Sequence, residues 1–560
     1  MDKKTLLAFL LIAIVLIMMP YYMKLVAPQE EPVTPDSSAT NVPVRTIEPT
    51  TTDKTAINIP PVVDRATPET YMSVQPHTAE RIVSVETPLY IATVSNKNGG
   101  AFTSFLLKKY EATDSTSVQL VDNFNNNNLL FEAMSVDGIP LVLRDPWDLN
   151  ESGKNFNVVR NSKSLTFTTK VLGKNITKTL TFDPNSYKIY ISFDLSSIKD
   201  QISQGAYSLS WNGGLPATQK NLKDELFYYK AYAYQGDELS SEKLRKTKTL
   251  DEEYRGQTNW VGTRNKYFLA AIIPTQKAVG AHLSGTFETE VPKFDISVSQ
   301  QVSSDNSFSL YLGPLEYKNV SSLGVELEQT MSMGISIIRP ISRGVLAALV
   351  AMHKVIPNYG VVLIIFSILI KIIVYPLTRK SYQSMRAMST LQPKLKALKE
   401  KHAKDPQKLN KATMALYKEE GVNPMGGCLP MLIQMPLLFA LFQVFRSTIE
   451  LRGEPFILWI TDLSAPDTLF EIGGFPINIL PLLMGISMLL QQKMTPTTGQ
   501  AGQQKQMMYF MNIFFIFIFY KFPSGLNLYY TLFNVLTILQ QKYLTPGQQP
   551  VVQPIKNKKK

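Results

Sequence analysis

Six long apolar runs constrain what this chain can fold into: one lies at the amino terminus, and five lie beyond residue 357. A transmembrane α-helix needs about 20 mostly apolar residues, so each run is a candidate span. Several runs are short and need their flanks or a locally thinned bilayer. The predicted spans are residues 6 to about 23, 358–377, 425–446, 475–491, 506–521 and 524–542. This pattern predicts a multi-domain membrane protein with six transmembrane α-helices and argues against an exclusively cytosolic protein.

The first 330 residues divide into three predicted parts. Residues 1–26 form an uncleaved membrane anchor, because no small-x-small cleavage motif follows the apolar run. Residues 27–80 are rich in Pro, Thr, Glu and Asp and poor in large apolar side chains, which predicts a disordered linker. From 81 to 330 apolar side chains alternate with period two, as at Leu165 and Phe167. This alternation indicates a large antiparallel β-sandwich domain.

Four aromatic residues of that β domain allow two interpretations. Trp211, Trp260, Tyr267 and Phe268 could line a carbohydrate-binding cleft. Aromatic side chains in sandwich strands more often fill the core between the sheets. The core interpretation is therefore preferred.

Residues 335–545 form the predicted helical core, and the distribution of basic residues orients it. Residues 335–356 mix basic and apolar side chains, which is typical of a helix lying in the membrane interface. The segment from Arg379 to Lys418 holds eleven Lys or Arg residues, and basic loops favour the cytoplasm. Counting spans outward from it places both termini, with the basic tail 546–560, in the cytoplasm. The β domain then lies on the outer side.

The residue types that usually hold metals or nucleotides are sparse. The one cysteine, Cys428, excludes an internal disulfide and any multi-cysteine metal site. The four histidines are far apart in the sequence, and the chain has no P-loop or dinucleotide-binding glycine motif. We expect no metal, no cofactor and no nucleotide chemistry.

Lys371 lies inside the second predicted span. An ionisable side chain at this depth costs about 2.5–3.5 kcal/mol on insertion scales and is by default a functional hypothesis. The lysine stem could snorkel toward the cytoplasmic surface, or the charge could lie in a water-filled cavity. Other polar residues at membrane depth favour the cavity, although each alone could be an interhelical hydrogen bond. They are Gln434 and Gln443 in the third span and Asn527, Tyr529, Tyr530 and Asn534 in the last.

Residues 380–422 are predicted to form a cytoplasmic helical hairpin, because apolar residues recur at three- or four-residue spacing on both sides of a turn. Met385 and Met388 offer an adaptable apolar surface, and Lys394 and Lys399 belong to a basic face. This face could bind anionic lipid, ribosomal RNA or an acidic partner. It could equally be a solvated face that obeys the positive-inside rule.

Six sequence segments together resemble the YidC membrane protein insertases, in the Gram-negative form with a large periplasmic domain. The segments are YPLT at 375–378, LQPK at 391–394, NPMGGCLPMLIQMP at 423–436, LWITDL at 458–463, QKMTP at 492–496 and FPSGL at 522–526. The match is specific from about 335 to 545 and looser in the β domain.

The resemblance implies a five-helix core around a hydrophilic groove that opens to the cytoplasm and to lipid. The family commonly has an arginine where this chain has Lys371, so the charge is kept and planar bidentate pairing is lost. Gln434, Asn527, Tyr529, Tyr530 and Asn534 would line the groove with Lys371.

The same resemblance implies an insertase of the bacterial inner membrane that is not an enzyme and needs no cofactor. Its partners would be nascent membrane proteins, a Sec-type translocon and anionic lipids. The hairpin and the basic tail would contact the ribosome, and no DNA partner is expected.

Two other functions remain open at this stage. A secondary transporter or channel would have a similar vestibule, but such proteins usually carry paired repeats, and none is visible here. An envelope protein whose β domain binds glycans or lipids would need the helices only as anchors. That alternative leaves Lys371 and the ordered hairpin unexplained.

Overall fold

The computed structural model describes residues 78–112, 116–121, 127–244, 249–287, 290–403, 405–422, 429–494 and 501–544. The chain divides between Met331 and Ser332 into a β unit and a helical unit. The predicted anchor 1–26, almost all of the linker 27–80 and the tail 546–560 lie outside the described residues.

The β unit contains nineteen strands among its described residues. They are β1 (Ile82–Glu86), β2 (Tyr90–Ser95), β3 (Ala101–Glu111), β4 (Ser117–Gln119), β5 (Leu130–Ser135), β6 (Pro140–Val142), β7 (Asp148–Leu149), β8 (Asn155–Asn157), β9 (Lys163–Val171), β10 (Lys174–Phe182), β11 (Lys188–Asp194), β12 (Ile202–Trp211), β13 (Lys230–Gln235), β14 (Glu238–Glu242), β15 (Leu250–Arg264), β16 (Phe268–Pro274), β17 (Ala278–Thr286), β18 (Lys293–Gln301) and β19 (Asn306–Pro314). Two short helices, α1 (Leu222–Glu225) and α2 (Tyr317–Ser321), complete it together with 3-10 turns at Lys199–Gln201 and Leu327–Thr330.

These strands form two sheets. The smaller has the order β4-β3-β2-β1-β8, and the larger runs β6-β5-β12-β18-β17-β15-β16-β19-β11-β10-β9-β7, with β13 and β14 branching from β15. All pairs are antiparallel except β1 with β8, which is parallel. The β unit is therefore rich in antiparallel sheet, as predicted, and the parallel pair joins two strands that are separated in the chain by β2 to β7.

Period-two alternation places the core between the sheets. In β10, every second side chain from Ile176 to Phe182 is buried, and β11 alternates in the same way. The rings of Phe102 on β3 and Phe182 on β10 meet edge to face with centroids 6.4 Å apart, so the two sheets pack against each other.

The four aromatic residues considered for a carbohydrate cleft belong to this core. Trp211, Trp260, Tyr267 and Phe268 are all buried. The Trp260 indole Nε1 donates to the Val325 carbonyl at 2.7 Å. None of the four is available to line a cleft.

The helical unit contains eight described α-helices and one β-hairpin. The helices are α3 (Arg339–His353), α4 (Tyr359–Thr390), α5 (Gln392–Lys401), α6 (Pro406–Glu419), α7 (Leu429–Ser447), α8 (Ile479–Met494), α9 (Ala501–Phe519) and α10 (Ser524–Leu539). The hairpin is β20 (Thr468–Ile472) with β21 (Phe475–Asn478), and short turns occupy Ile449–Leu451 and Gln540–Leu544.

Helix α4 is the long apolar element of this unit. Among the described residues, one helical segment, Tyr359–Pro376 of α4, is long and apolar enough by length and composition to cross a membrane. Ile479–Lys493 of α8 and Tyr509–Phe519 of α9 are shorter apolar helices.

Helix α4 also continues to Thr390, well beyond the predicted span, so residues 380–390 extend the span helix rather than begin a separate arm. The paired arms of the hairpin are α5 and α6, and Leu391, Leu395 and Tyr417 pack between them. Pro393 lies in the first turn of α5, where a missing N–H costs nothing. Asp405 caps α6 by accepting from the Lys408 N–H at 3.0 Å.

Candidate functional site

Lys371 lies on the face of α4 that packs against α10. Its Nζ donates a hydrogen bond to the Thr537 hydroxyl and lies 3.7 Å from the centroid of the Phe533 ring. The lysine is five residues before the end of the apolar segment at Pro376, about 8 Å along the helix axis. Among the described residues it forms no ion pair. In this part of the chain the Lys371 amine therefore contacts a hydroxyl and a ring, and neither of these groups carries a negative charge.

A cavity of about 500 Å³ opens beside this lysine. Its lining residues come from α4, α10 and the turn that follows α10. They are Ile368, Lys371, Ile372, Tyr375, Leu536, Leu539, Gln540 and Tyr543. Among the lining residues that the structure describes, Lys371 is the one basic residue in a mostly apolar wall, and an acidic group that enters the cavity would meet it.

The sequence of α10 explains why a hydroxyl faces the lysine. Thr537 follows Phe533 by four residues, so both side chains lie on the same helix face. The Thr537 hydroxyl donates back to the Phe533 carbonyl at 2.6 Å, which leaves its lone pairs for the lysine. Thr378 lies on α4 two turns beyond Lys371. Its hydroxyl accepts a hydrogen bond from the Gln540 side-chain amide at 3.2 Å. A short polar seam thus joins α4 and α10.

Gln434 and Tyr529 form a second polar contact away from the cavity. The Gln434 amide on α7 donates to the buried Tyr529 hydroxyl on α10 at 3.3 Å. The Tyr529 ring lies against Phe366 of α4, with centroids 6.3 Å apart. These residues tie three helices together, and neither lines the cavity beside Lys371.

Asn527, Tyr530 and Asn534 also lie outside the cavity. The Asn534 amide donates to the Ser487 hydroxyl on α8 at 3.0 Å, and Asn527 donates to the Phe519 carbonyl at 3.2 Å. The Tyr530 ring packs edge to face on Phe519. Both asparagines are buried. Of the six predicted groove residues, the structure therefore brings only Lys371 to the cavity, because the other five hydrogen-bond or pack elsewhere among the helices.

Several polar partners were absent from the sequence-based prediction. Thr378, Thr537 and Gln540 belong to the seam, and Gln492 and Asn512 exchange amide hydrogen bonds at 2.8 and 2.9 Å between α8 and α9. Threonine within an apolar helix is inconspicuous, since it can satisfy its hydroxyl on its own backbone. The usable signal is the three-residue spacing from Thr537 near the end of α10 to Gln540 at the start of the following turn, which places two polar side chains on one side of the chain.

The predicted hairpin contacts have different surroundings. Lys394 forms an exposed ion pair with Glu420. This hydrogen-bonded carboxylate raises the pKa of Lys394 above its ordinary value. Lys399 is exposed, and Met385 and Met388 belong to α4 with side chains outside the described part. Within the described residues, no cluster of His, Cys, Asp or Glu could hold a metal ion.

Comparison with known proteins decides the family. Residues 82–343 match the family model described as the YidC periplasmic domain, and residues 351–549 match the model described as the 60Kd inner membrane protein. The insertase YidC of Chlorobium phaeovibrioides is 35% identical over 587 residues, which cover 100% of this chain and 99% of that protein. The chain belongs to the YidC membrane protein insertase family.

A second relative agrees with this assignment, and one solved structure is also similar to this chain. The YidC insertase of Chlorobium luteolum is 34% identical over 566 residues, covering 97% of this chain and 95% of the relative. A YidC insertase crystal structure with its first transmembrane domain resolved is 18% identical, covers 83% of this chain and 93% of its own, and superposes with a TM-score of 0.36. The family consists of inner-membrane proteins with a periplasmic domain rich in antiparallel β-sheet, and it is not a family of enzymes.

Proposed function

We propose that this chain inserts nascent membrane proteins into the bacterial inner membrane without catalysing a covalent reaction. The observation that carries the proposal is the position of Lys371, which has no ion-pair partner among the described residues, beside a cavity between two apolar helices. Family membership supports the same function. A polar segment crossing hydrocarbon loses its water, and a partly polar path lowers that cost.

The proposed role of Lys371 is a transient counter-charge. Acidic groups in the translocated segment of a substrate would approach the cavity and interact with the ammonium group more strongly than in water, because the surrounding dielectric is low. The apolar helix of the substrate would then partition into lipid, which gains about 25 cal/mol per Å² of buried apolar surface. Hydrophobic transfer and the membrane potential supply the driving force, and no nucleotide is required.

The proposed topology has six spans, with both termini in the cytoplasm and the β domain in the periplasm. The anchor 1–26, α4, α7, α8, α9 and α10 would be the spans, α3 would lie in the interface, and α5 with α6 would form the cytoplasmic hairpin. The eleven basic residues from Arg379 to Lys418 support this orientation. Proposed partners are a Sec-type translocon, the ribosome through the hairpin and tail 546–560, and anionic lipids.

The test is insertion into liposomes that contain the purified full-length chain. A small single-span substrate with an acidic translocated tail is added without ATP, and protease protection of the tail is measured. We expect protection above that of empty liposomes for the native chain and for Lys371→Arg, which keeps the charge. Lys371→Leu should reduce protection toward the level of empty liposomes.

Lys493→Leu is the matched control, because it removes an exposed lysine from the end of the apolar helix α8. It should insert the substrate as the native chain does. Protection equal to empty liposomes for the native chain would contradict autonomous insertion. Equal protection for Lys371→Leu and the native chain would contradict the counter-charge role.

A further inference from the structure

The hairpin of β20 and β21 exposes apolar side chains that the proposed insertion site does not use. Its strands are joined by Gly473 and Gly474, both with positive φ, at 57° and 78°. A two-residue turn of this kind requires positive φ at both positions, and Gly-Gly supplies it without strain. The sequence thus builds a tight hairpin immediately before α8.

One face of this hairpin is entirely apolar. The register pairs Phe470 with Ile477 and Ile472 with Phe475. Directly opposed residues and residues two apart share a face, so these four side chains project together. Phe470, Ile472 and Phe475 are 50%, 63% and 56% exposed. The opposite face carries Glu471.

The base of the hairpin is fixed to the helices. Buried Asp467 accepts hydrogen bonds from the Ile479 N–H at 3.0 Å and the Leu480 N–H at 2.6 Å, which caps α8. The Tyr520 hydroxyl at the end of α9 donates to the Pro476 carbonyl at 2.6 Å, and the Asn478 amide donates to the Tyr520 carbonyl at 2.6 Å. The apolar face is therefore held in place by its base and is not a freely moving loop.

The helix that follows the hairpin also exposes apolar side chains. Leu482, Ile486 and Leu490, spaced by four residues on α8, are 42%, 53% and 51% exposed. The apolar segment Ile479–Lys493 is about 22 Å long, shorter than the hydrocarbon core of about 30 Å. The hairpin directly precedes the amino-terminal end of this short helix, so exposed apolar side chains occur on both consecutive elements.

We propose that this hairpin is an interfacial membrane anchor whose occupant is the lipid bilayer. Phe470, Ile472, Phe475 and Ile477 contact the acyl-chain boundary, and Glu471 faces water. The outer edges of a two-stranded hairpin carry unpaired backbone N–H and C=O groups, which restrict it to the hydrated interface. The leaflet is the outer one, and this assignment rests on the proposed topology.

The experiment places an environment-sensitive fluorophore on single cysteines in full-length chain carrying Cys428→Ser. The labelled variants are Phe470→Cys and Ile472→Cys on the apolar face and Glu471→Cys as the matched control on the opposite face. Each is reconstituted in phosphatidylcholine–phosphatidylglycerol vesicles and quenched by lipids with a nitroxide near the headgroup or by aqueous iodide.

We expect blue-shifted emission and lipid quenching at positions 470 and 472, and iodide quenching at 471. Equal iodide quenching at all three positions would overturn the anchor. So would protection from both quenchers at 470 and 472, which would indicate a protein occupant. The readout does not need insertion activity, so a chain that fails to insert substrate can still show the alternation, and an active chain can still lack it.

Discussion

Lys178 in the β unit and Lys371 in the helical unit are both removed from solvent to different degrees, and their surroundings differ. Lys178 in β10 is fully buried and donates to the Asn98 carbonyl at 2.9 Å and the Leu129 carbonyl at 2.8 Å. Lys371 in α4 is half-buried, has one hydroxyl partner and lies beside a cavity. A lysine whose amine donates to fixed carbonyls has a structural role. A lysine with space beside it can still interact with an incoming group.

The comparison predicts that Lys178 matters most for stability. Lys178→Ala leaves two buried carbonyls without their donor and opens a cavity, so we expect a loss of about 3 kcal/mol in the free energy of unfolding. Urea unfolding followed by tryptophan fluorescence measures it in a Trp459→Phe background, where the remaining tryptophans all belong to the β unit. Lys174→Ala, exposed on the same strand, is the control and should change stability little. Equal losses in the free energy of unfolding for Lys178→Ala and Lys174→Ala would refute the structural role of Lys178.

The pH dependence of the free energy of unfolding provides a second test of the buried position of Lys178. Burial lowers the pKa of Lys178 from 10.5 to about 7. Between these pH values the unfolded chain holds a proton that the folded chain lacks, so the free energy of unfolding rises with pH, by up to about 1.4 kcal/mol per pH unit. Lys178→Met lacks this contribution. The stability of the native chain relative to Lys178→Met should therefore increase from pH 7 to 9, and a constant difference would contradict the assignment.

We expect a smaller loss of stability when Asn534 in the helical unit is replaced. Asn534→Ala removes its hydrogen bond to Ser487, and such bonds between membrane helices contribute about 0.6 kcal/mol on average. Thermal unfolding in detergent, followed by helical circular dichroism, should show a slightly lower midpoint. Asn534→Ala combined with Ser487→Ala should cost less than the sum of the single substitutions. Full additivity would show that the pair is not coupled.

We expect the smallest change in stability for the replacement of Lys371. Lys371→Leu replaces an unneutralised charge among apolar residues with an apolar side chain, a change that is often neutral or stabilising. The thermal midpoint of the helical unit should stay the same or rise, although insertion falls. A marked loss of stability would show that Lys371, like Lys178, has a structural role, and would contradict the proposed difference between the two lysines.

The sequence predicted the elements well where one periodicity dominates. The alternation from Ile176 to Phe182 and the apolar segment of α4 are both visible as patterns. Lys178 occupies one of the inward-facing positions of β10. The sequence could not show which carbonyls would accept its hydrogen bonds, because these carbonyls come from loops far away in the chain. The parallel pairing of β8 with β1 has the same long-range origin.

The candidate site was only partly predictable. A charge in an apolar run identified Lys371, since that signal is local. The sequence could not rank the other polar residues, because a hydrogen bond between helices and a cavity wall use the same residue types. Asn534 meets Ser487 and Gln434 meets Tyr529, whereas Thr537 meets the lysine. Only the packing of α10 against its neighbours separates these outcomes.

Charge reversal at Lys371 tests the central claim most directly. Liposomes containing the native chain or Lys371→Glu receive matched single-span substrates whose translocated tails are acidic, neutral or basic, and protease protection is compared. We expect the native chain to prefer the acidic tail over the basic one and Lys371→Glu to invert this preference. The same order of preference in both proteins would contradict a counter-charge role for Lys371.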